Sequence, residues 1–135
     1  SLHDALPISA PSFFAASCTV ALGGGFGAWL RFVAARLLGN APFPLATFAV
    51  NIIGSLAMGL LAGWVIRQPA GAEGWRLLLG VGVLGGFTTF SAFSLECATM
   101  IERGQLGMAA GYIAASLILG LGALFLGLAV VRICA

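Results

Sequence analysis

Charged residues divide this sequence into four long apolar stretches. The stretches that contain no Asp, Glu, Arg, Lys or His are residues 5–30, 37–66, 77–95 and 104–131. Each has about the 20 residues that a helix needs to cross the hydrocarbon core of a bilayer, or more. An alternation of apolar and polar residues, as in a membrane β-barrel, is absent, so helices are favoured. The predicted membrane-spanning helices cover residues 13–37, 43–66, 75–100 and 106–131.

Short segments rich in turn-forming residues connect the predicted helices. They lie at 40–44 (N-A-P-F-P), 68–72 (Q-P-A-G-A) and 102–104 (E-R-G). Because the connections are short, residues 12–135 are predicted to form one all-α membrane domain. Residues 1–11 lack the basic start of a signal peptide and are interpreted as a non-native or disordered leader.

The composition excludes a soluble protein. Hydrophobic residues make up 61% of the 135 residues and charged residues only 7%, whereas soluble domains carry about 25% charged residues. The net charge of +2 is small and spread out, so a nucleic-acid partner is not indicated. An enzyme is not indicated either, because the sequence offers no plausible pair of nucleophile and base, and its one histidine, His3, lies in the leader.

The basic residues do not favour one orientation in the membrane. With four spans, both termini and the second connection lie on the same side. The arginines of that side are Arg67, Arg76 and Arg132, and those of the other side are Arg31, Arg36 and Arg103. An excess of basic residues on one side normally sets the orientation. The balance predicts insertion in both orientations and pairing with an inverted copy, unless a partner sets the topology.

Polar residues recur on one face of the second predicted span. Thr47, Asn51 and Ser55 are four residues apart and therefore share a helix face. An amide in hydrocarbon needs hydrogen-bond partners, so Asn51 either bonds a neighbouring helix or faces a water-filled path for an anion. Tyr112 and Ser116 form a similar pair in the fourth span, where Tyr112 also suits an interfacial anchor.

The third span contains hydroxyl groups and aromatic rings in place of aliphatic residues, in the segment G-G-F-T-T-F-S-A-F-S at 85–94. Phe90 and Phe93 are three residues apart and share a face. The edge of a phenyl ring is electropositive, so two ring edges beside a narrow passage can attract an anion without a full charge. The alternative is ordinary packing or contact with lipid.

Glycines in the spans have two interpretations. The cluster of Gly80, Gly82, Gly85 and Gly86 favours a break in the third helix, whose freed carbonyl groups can bind a cation, or else close packing of helices. The pairs Gly59-x-x-x-Gly63 and Gly107-x-x-x-Gly111 are predicted packing motifs.

Two charged residues lie within or near the spans. Arg31 is near the end of the first predicted span, and Glu96 lies in the last third of the third. Charged residues at such positions are functional candidates. Alternatively, each side chain reaches the headgroups or forms a salt bridge.

Three motifs together resemble the fluoride channel family, called Fluc or CrcB. They are G-G-G-F-G-A-W-L-R-F at 23–32, T-F-A-V-N followed by G-S within 47–55, and G-G-F-T-T-F-S-A-F-S-x-E at 85–96. The resemblance implies an antiparallel, dual-topology homodimer with two pores. It also implies passive export of fluoride across the plasma or inner membrane, which lowers fluoride toxicity.

The resemblance assigns roles to individual residues. The implied fluoride path consists of Asn51, Phe90, Phe93, Ser91, Tyr112, Thr47 and Ser55, and the implied vestibule residues are Arg31 and Glu96. The backbone carbonyl groups of Gly85 and Thr88 would hold a structural sodium ion at the dimer interface. The family usually has Thr where this chain has Ala92, which removes one hydroxyl group from the polar path.

Two other functions agree less well with the sequence. A small proton-coupled exporter of the multidrug type also has four spans and dual topology, but it needs an acidic residue in the first span, and 5–30 has none. A membrane subunit without transport activity would not explain the cluster of hydroxyl groups and phenylalanines in the third span.

Overall fold

The computed structural model describes residues 10–134, and helices account for nearly all of them. Most of the proposed leader, residues 1–9, lies outside the described residues. The helices are α1 (Phe13–Leu38), α2 (Leu45–Ile66), α3 (73–87), α4 (Phe90–Glu102) and α5 (Leu106–Cys134). Together, α3 and α4 form the third span. The prediction of four helices long and apolar enough to cross a membrane is confirmed, and every predicted boundary lies within three residues of the observed one.

The ends of the helices follow from local chemistry. The hydroxyl group of Ser12 caps α1 by accepting a hydrogen bond from the amide of Ala15 at 3.1 Å. Gly71 and Gly104 have φ angles of 81° and 77°, in the left-handed region that favours glycine. These glycines lie in the second and third connections, where the sequence predicted turns.

The backbones of α1 and α3 cross in direct contact. A Cβ atom on Gly27 would overlap the carbonyl oxygen of Val83 and lie 2.8 Å from the amide nitrogen of Phe87. A Cβ atom on Gly23 would lie 3.1 Å from the Cα atom of Gly82. Small residues allow two helix backbones to approach this closely in a membrane. The crossing of α1 and α3 therefore leaves no room for a side chain at Gly23 or Gly27.

Glycines also bring α2 and α5 together. A Cβ atom on Gly59 would overlap the carbonyl oxygen of Leu124, and one on Gly63 would lie 3.0 Å from the Cβ atom of Val131. The packing motif predicted at these two glycines is confirmed. At the second predicted motif, no atom of another segment of residues 10–134 lies within 4 Å of a Cβ position on Gly107 or Gly111. Neither glycine is therefore needed for close packing within the single chain.

The third span changes its helix type and then breaks. A π-helical segment, Arg76–Leu84, is flanked by single α-helical turns, Glu73–Trp75 and Gly85–Phe87. Thr88 and Thr89 are extended, with ψ angles of 156° and 118°, and α4 begins after them.

The predicted break is confirmed, but it follows the glycine cluster. Gly82 and Gly86 remain helical and pack against α1: a Cβ atom on Gly82 would lie 3.1 Å from the Cα atom of Gly23, and one on Gly86 would overlap the carbonyl oxygen of Gly24. At these two positions, the packing interpretation of the glycines is therefore the correct one.

The buried core of the described chain lies between α4 and α5. Cys97, Met100, Ala109 and Tyr112 form it, and Phe43, Phe48, Phe93 and Ile113 pack around it. Large apolar side chains elsewhere on α5, such as Leu121 and Phe125, are exposed, as expected for a helix that faces lipid.

Candidate functional site

Asn51 braces the break in the third span. Its Nδ2 donates a hydrogen bond to the carbonyl oxygen of Thr89 at 3.1 Å, and its Oδ1 accepts one from the amide of Thr89 at 2.8 Å. An unpaired backbone group in the membrane interior is costly, and one side chain pairs both the amide and the carbonyl group of Thr89. The interhelical role predicted for Asn51 is therefore confirmed. A side-chain amide has two N–H groups, so Asn51 has a second N–H group that the bond to Thr89 does not use.

The two threonines of the break are themselves tied to the helices. The hydroxyl group of Thr88 donates to the carbonyl oxygen of Leu84 at 2.9 Å. The hydroxyl oxygen of Thr89 accepts from the amide of Ala92 at 3.1 Å and so caps α4. On α2, a Cβ atom on Gly54 would overlap Cγ2 of Thr88, which explains why a glycine faces the break.

The carbonyl groups of Gly85 and Thr88 lose their usual helical partners. In a continuous helix, the Gly85 carbonyl would accept from the amide of Thr89, which bonds Asn51 instead. The Thr88 carbonyl would likewise accept from the amide of Ala92, which bonds the Thr89 hydroxyl group. Within residues 10–134, no group of three His, Cys, Asp or Glu side chains is placed to hold a metal ion. A small hard cation would therefore be held here by backbone carbonyl oxygens.

The carboxylate of Glu96 is held by two hydroxyl groups inside the span. Its Oε1 accepts from the hydroxyl group of Thr47 at 2.6 Å, and its Oε2 accepts from that of Tyr112 at 2.7 Å. Both donors are buried, with 8% of Thr47 and 1% of Tyr112 exposed. Contacts with α2 and α5 thus hold Glu96 in place. The interpretations of Tyr112 as an interfacial anchor and of Glu96 as a salt-bridge partner were wrong within the described chain.

Arg31 points toward the end of α3. Its Nε donates to the carbonyl oxygen of Gly86 at 3.1 Å, next to the break. Carbonyl groups at the C-terminal end of a helix carry partial negative charge, so a cation is stabilised there. The guanidinium also lines the same cavity as Glu96, which places one charge of each sign beside it.

Three neighbouring cavities lie beside the break and Glu96. The inner cavity, of about 260 Å³, lies on the α5 side of the break. The middle cavity, of about 270 Å³, shares Thr89 with it. The outer cavity, of about 170 Å³, shares Thr47 and Glu96 with the middle one and reaches the connection between α1 and α2. Each cavity thus shares part of its wall with the next, and Thr89 lies between the inner and the middle cavity.

The predicted path residues divide between these cavities. The inner cavity is lined by Asn51, Ser55, Thr88, Phe90, Phe93 and Ser116 among others, and the middle one by Arg31, Thr47, Ala92 and Glu96 among others. Ser91 lies at the break, with its Oγ 3.2 Å from the hydroxyl oxygen of Thr89, but it lines none of the three cavities. Tyr112 lies behind them and contacts Glu96.

The two phenylalanines predicted to share a face are in contact. The ring centroids of Phe90 and Phe93 are 5.8 Å apart, and the ring of Phe93 lies 5.0 Å from that of Tyr112. Phe93 is partly buried, whereas 79% of Phe90 is exposed in the single chain. The inner cavity is therefore open on the side of Phe90.

Ser116 is a further candidate path residue. The roles assigned from the sequence did not include it. Its Oγ is buried and has no hydrogen-bond partner within residues 10–134, and it lines the inner cavity with Asn51 and Ser55. A buried hydroxyl group without a partner is costly, which favours a ligand at this position. The sequence signal was its spacing of four residues from Tyr112.

Comparison with known proteins identifies the family. The family model described as CrcB-like protein, Camphor Resistance (CrcB), matches residues 18–128, which include most of every span and all the site residues described above. The chain belongs to the CrcB family. Because it combines this membership with four helices that can cross a membrane, it is a multi-pass protein of the cell membrane.

Several curated members of the CrcB family are similar over nearly their whole length. A protein of Novosphingobium aromaticivorans named fluoride-specific ion channel FluC is 57% identical over 122 residues, which cover 87% of this chain and 96% of the relative. A protein of Erythrobacter litoralis with the same name is 49% identical, covering 87% of this chain and 93% of the relative. Fluoride-specific ion channel FluC 2 of Nitrobacter hamburgensis is 48% identical, covering 84% and 94%.

Replacing Thr47 by valine tests the hydroxyl pair around Glu96. The variant removes the donor to Oε1 and keeps the side-chain shape, so we expect the protein to fold with a free energy of unfolding lower by about 1–2 kcal/mol. Thermal unfolding of the purified protein in detergent measures this change. Thr99→Val is the matched control, because the hydroxyl group of Thr99 donates to the carbonyl oxygen of Leu95 in its own helix and to no other group of residues 10–134. Equal stability of the two variants would contradict the pairing.

Proposed function

We propose that this protein is a fluoride channel that lets fluoride leave the cytoplasm passively across the cell membrane. The inner cavity supports this proposal most directly. An amide, a hydroxyl group without a hydrogen-bond partner and two aromatic rings line it, and none of these groups carries a full charge. The names of the similar CrcB proteins support fluoride as the ion.

The inner cavity suits the chemistry of a small anion. Fluoride is strongly hydrated, so a narrow path has to replace its water with directed donors. The remaining N–H group of Asn51 and the hydroxyl groups of Ser55 and Ser116 are such donors. The edges of Phe90 and Phe93 add a weak positive potential that does not trap the ion. A larger anion such as chloride would fit the same donors poorly.

Arg31 acts in this proposal before the ion reaches the break. Its positive charge in the middle cavity raises the local concentration of anions. Glu96 keeps its two hydroxyl donors, which stabilise its negative charge. The ion then passes Thr89 into the inner cavity. This sequence of events needs neither a chemical reaction nor an obligatory proton, so the protein acts as a channel and not as an enzyme.

We further propose that the working form is an antiparallel homodimer of dual topology. The open side of the inner cavity and the exposed ring of Phe90 support this, because a second chain would close the wall. The equal number of arginines on the two sides of the membrane supports insertion in both orientations. Each dimer would then contain two identical routes, whose chains cross the membrane in opposite orientations.

A structural sodium ion at the centre of this dimer is part of the proposal. The carbonyl oxygens of Gly85 and Thr88 would hold it, because the amides that normally bond them are bonded elsewhere. Two chains would supply four such oxygens. The ion would offset the negative ends of the carbonyl dipoles where two breaks meet.

Efflux from proteoliposomes tests the proposed function. Vesicles that contain the purified protein are loaded with fluoride or with chloride, and release is followed with ion-selective electrodes after addition of a potassium ionophore. We expect rapid loss of fluoride, little loss of chloride and no need for a pH gradient. Vesicles without protein are the control. Fluoride release that requires a pH gradient would favour proton-coupled export instead.

A further inference from the structure

A phenylalanine in the connection between α1 and α2 packs onto the only tyrosine of the chain. The rings of Phe43 and Tyr112 meet edge to face, with centroids 5.2 Å apart and planes at 80°. Phe43 meets Phe48 in the same way, at 5.5 Å and 76°. Edge-to-face pairs at these distances are favourable. Phe43 therefore joins the aromatic shell around a side chain that is 1% exposed.

The backbone holds Phe43 in place independently of the helices. Pro42 and Pro44 flank it, and proline fixes its own φ angle and disfavours helical backbone at the residue before it. The amide of Leu45 donates to the carbonyl oxygen of Phe43 at 2.7 Å, which closes a tight turn at the start of α2. This short connection thus presents the ring in one fixed direction.

Tyr112 transmits the position of Phe43 to the route in two ways. Its hydroxyl group donates to Oε2 of Glu96 at 2.7 Å, and its ring lies behind Phe93, with centroids 5.0 Å apart. Phe43 also lines the outer cavity together with Thr47 and Glu96. A shift of the Phe43 ring would therefore change both the middle and the inner cavity.

We propose that Phe43 is a positioning residue of the fluoride route: its ring holds Tyr112 in the orientation that places the hydroxyl group on Glu96 and the ring behind Phe93. This inference rests on the proposed function. It gives the connection between α1 and α2 a role in conduction beyond that of a turn.

Because Tyr112 is the only tyrosine, one labelled amino acid reports on it alone. The protein is produced with meta-fluorotyrosine, reconstituted in lipid nanodiscs without fluoride, and studied by fluorine NMR. Unlabelled samples are used for fluoride efflux. For Phe43→Ala we expect fluoride efflux to be slower by about tenfold, which corresponds to the free energy of one aromatic pair. We also expect the fluorine resonance of Tyr112 to shift and to narrow, because its ring is more mobile. Phe43→Tyr, which restores the ring, should restore efflux.

The control variant is Phe125→Ala, which removes a ring of the same size from a lipid-facing position that is 66% exposed. It should leave both efflux and the resonance unchanged. Normal efflux in Phe43→Ala overturns the proposal, and so does reduced efflux with an unchanged resonance. No fluoride efflux from the unaltered protein overturns the proposed function itself, and the resonance then decides separately whether Phe43 positions Tyr112.

Discussion

Replacing Asn51 by aspartate is expected to abolish fluoride efflux while the protein remains folded. The aspartate keeps an acceptor for the amide of Thr89 but loses the donor to its carbonyl group. It also places a negative charge on the proposed anion route. A like charge about 4 Å from the ion costs about 4 kcal/mol at an effective dielectric constant of about 20, which corresponds to about a thousandfold slower passage.

The proteoliposome assay measures this loss, and size-exclusion chromatography in detergent checks that the variant is folded. Gln68→Glu is the matched control, because it makes the same amide-to-carboxylate change in the second connection. Within residues 10–134, the side chain of Gln68 donates only to the carbonyl oxygen of Trp64. Normal fluoride efflux in Asn51→Asp would show that efflux needs neither the bond from Asn51 to the carbonyl group of Thr89 nor an uncharged side chain at residue 51. It would therefore contradict the proposed route. Asn51→Ala separates the two effects, since it removes the brace without adding charge.

Replacing Gly27 by alanine is expected to prevent stable folding. The new methyl group would overlap the carbonyl oxygen of Val83 and approach the amide nitrogen of Phe87 to 2.8 Å. Overpacking of a core costs about 1–3 kcal/mol when side chains can adjust. Here the obstructing atoms are backbone atoms of α3, so we expect a cost at or above the upper end of that range. The fraction of monodisperse protein after extraction and its unfolding temperature measure the effect.

Gly25→Ala is the control for this prediction. It lies on the same helix two residues away, and no atom lies within 4 Å of its Cβ position. Alanine favours a helix by about 1 kcal/mol over glycine, so this variant should be as stable as the parent protein or slightly more stable. The close crossing of α1 and α3 would be disproved if both variants had the same unfolding temperature.

The sequence predicted the features that depend on local patterns. The four spans follow from hydropathy, and the packing role of Gly59 follows from helical spacing. The shared face of Thr47, Asn51 and Ser55 also follows from spacing, and their contacts confirm it. The resemblance to a family added the roles of the path residues, and the family itself is confirmed.

Features that depend on contacts between distant segments could not be predicted in the same way. The position of the break depends on the bonds between Asn51 and Thr89, which are 38 residues apart, so the glycine cluster indicated a break but not its site. The partners of Glu96 come from two other helices. Only the folded chain shows that both its oxygens meet hydroxyl groups and not a cation.

The position of Thr89 between the inner and the middle cavity has a consequence for how membrane voltage acts on the protein. Water in these two cavities would carry little of the electric field, so most of the voltage would fall across the short segment beside Asn51 and Thr89. Moving one charge through 100 mV is worth about 2.3 kcal/mol. In a cell whose interior is negative, that work pushes an anion outward at this one step. The resting potential alone would then drive fluoride out, and fluoride current should scale with voltage in the same way for either orientation of the chain.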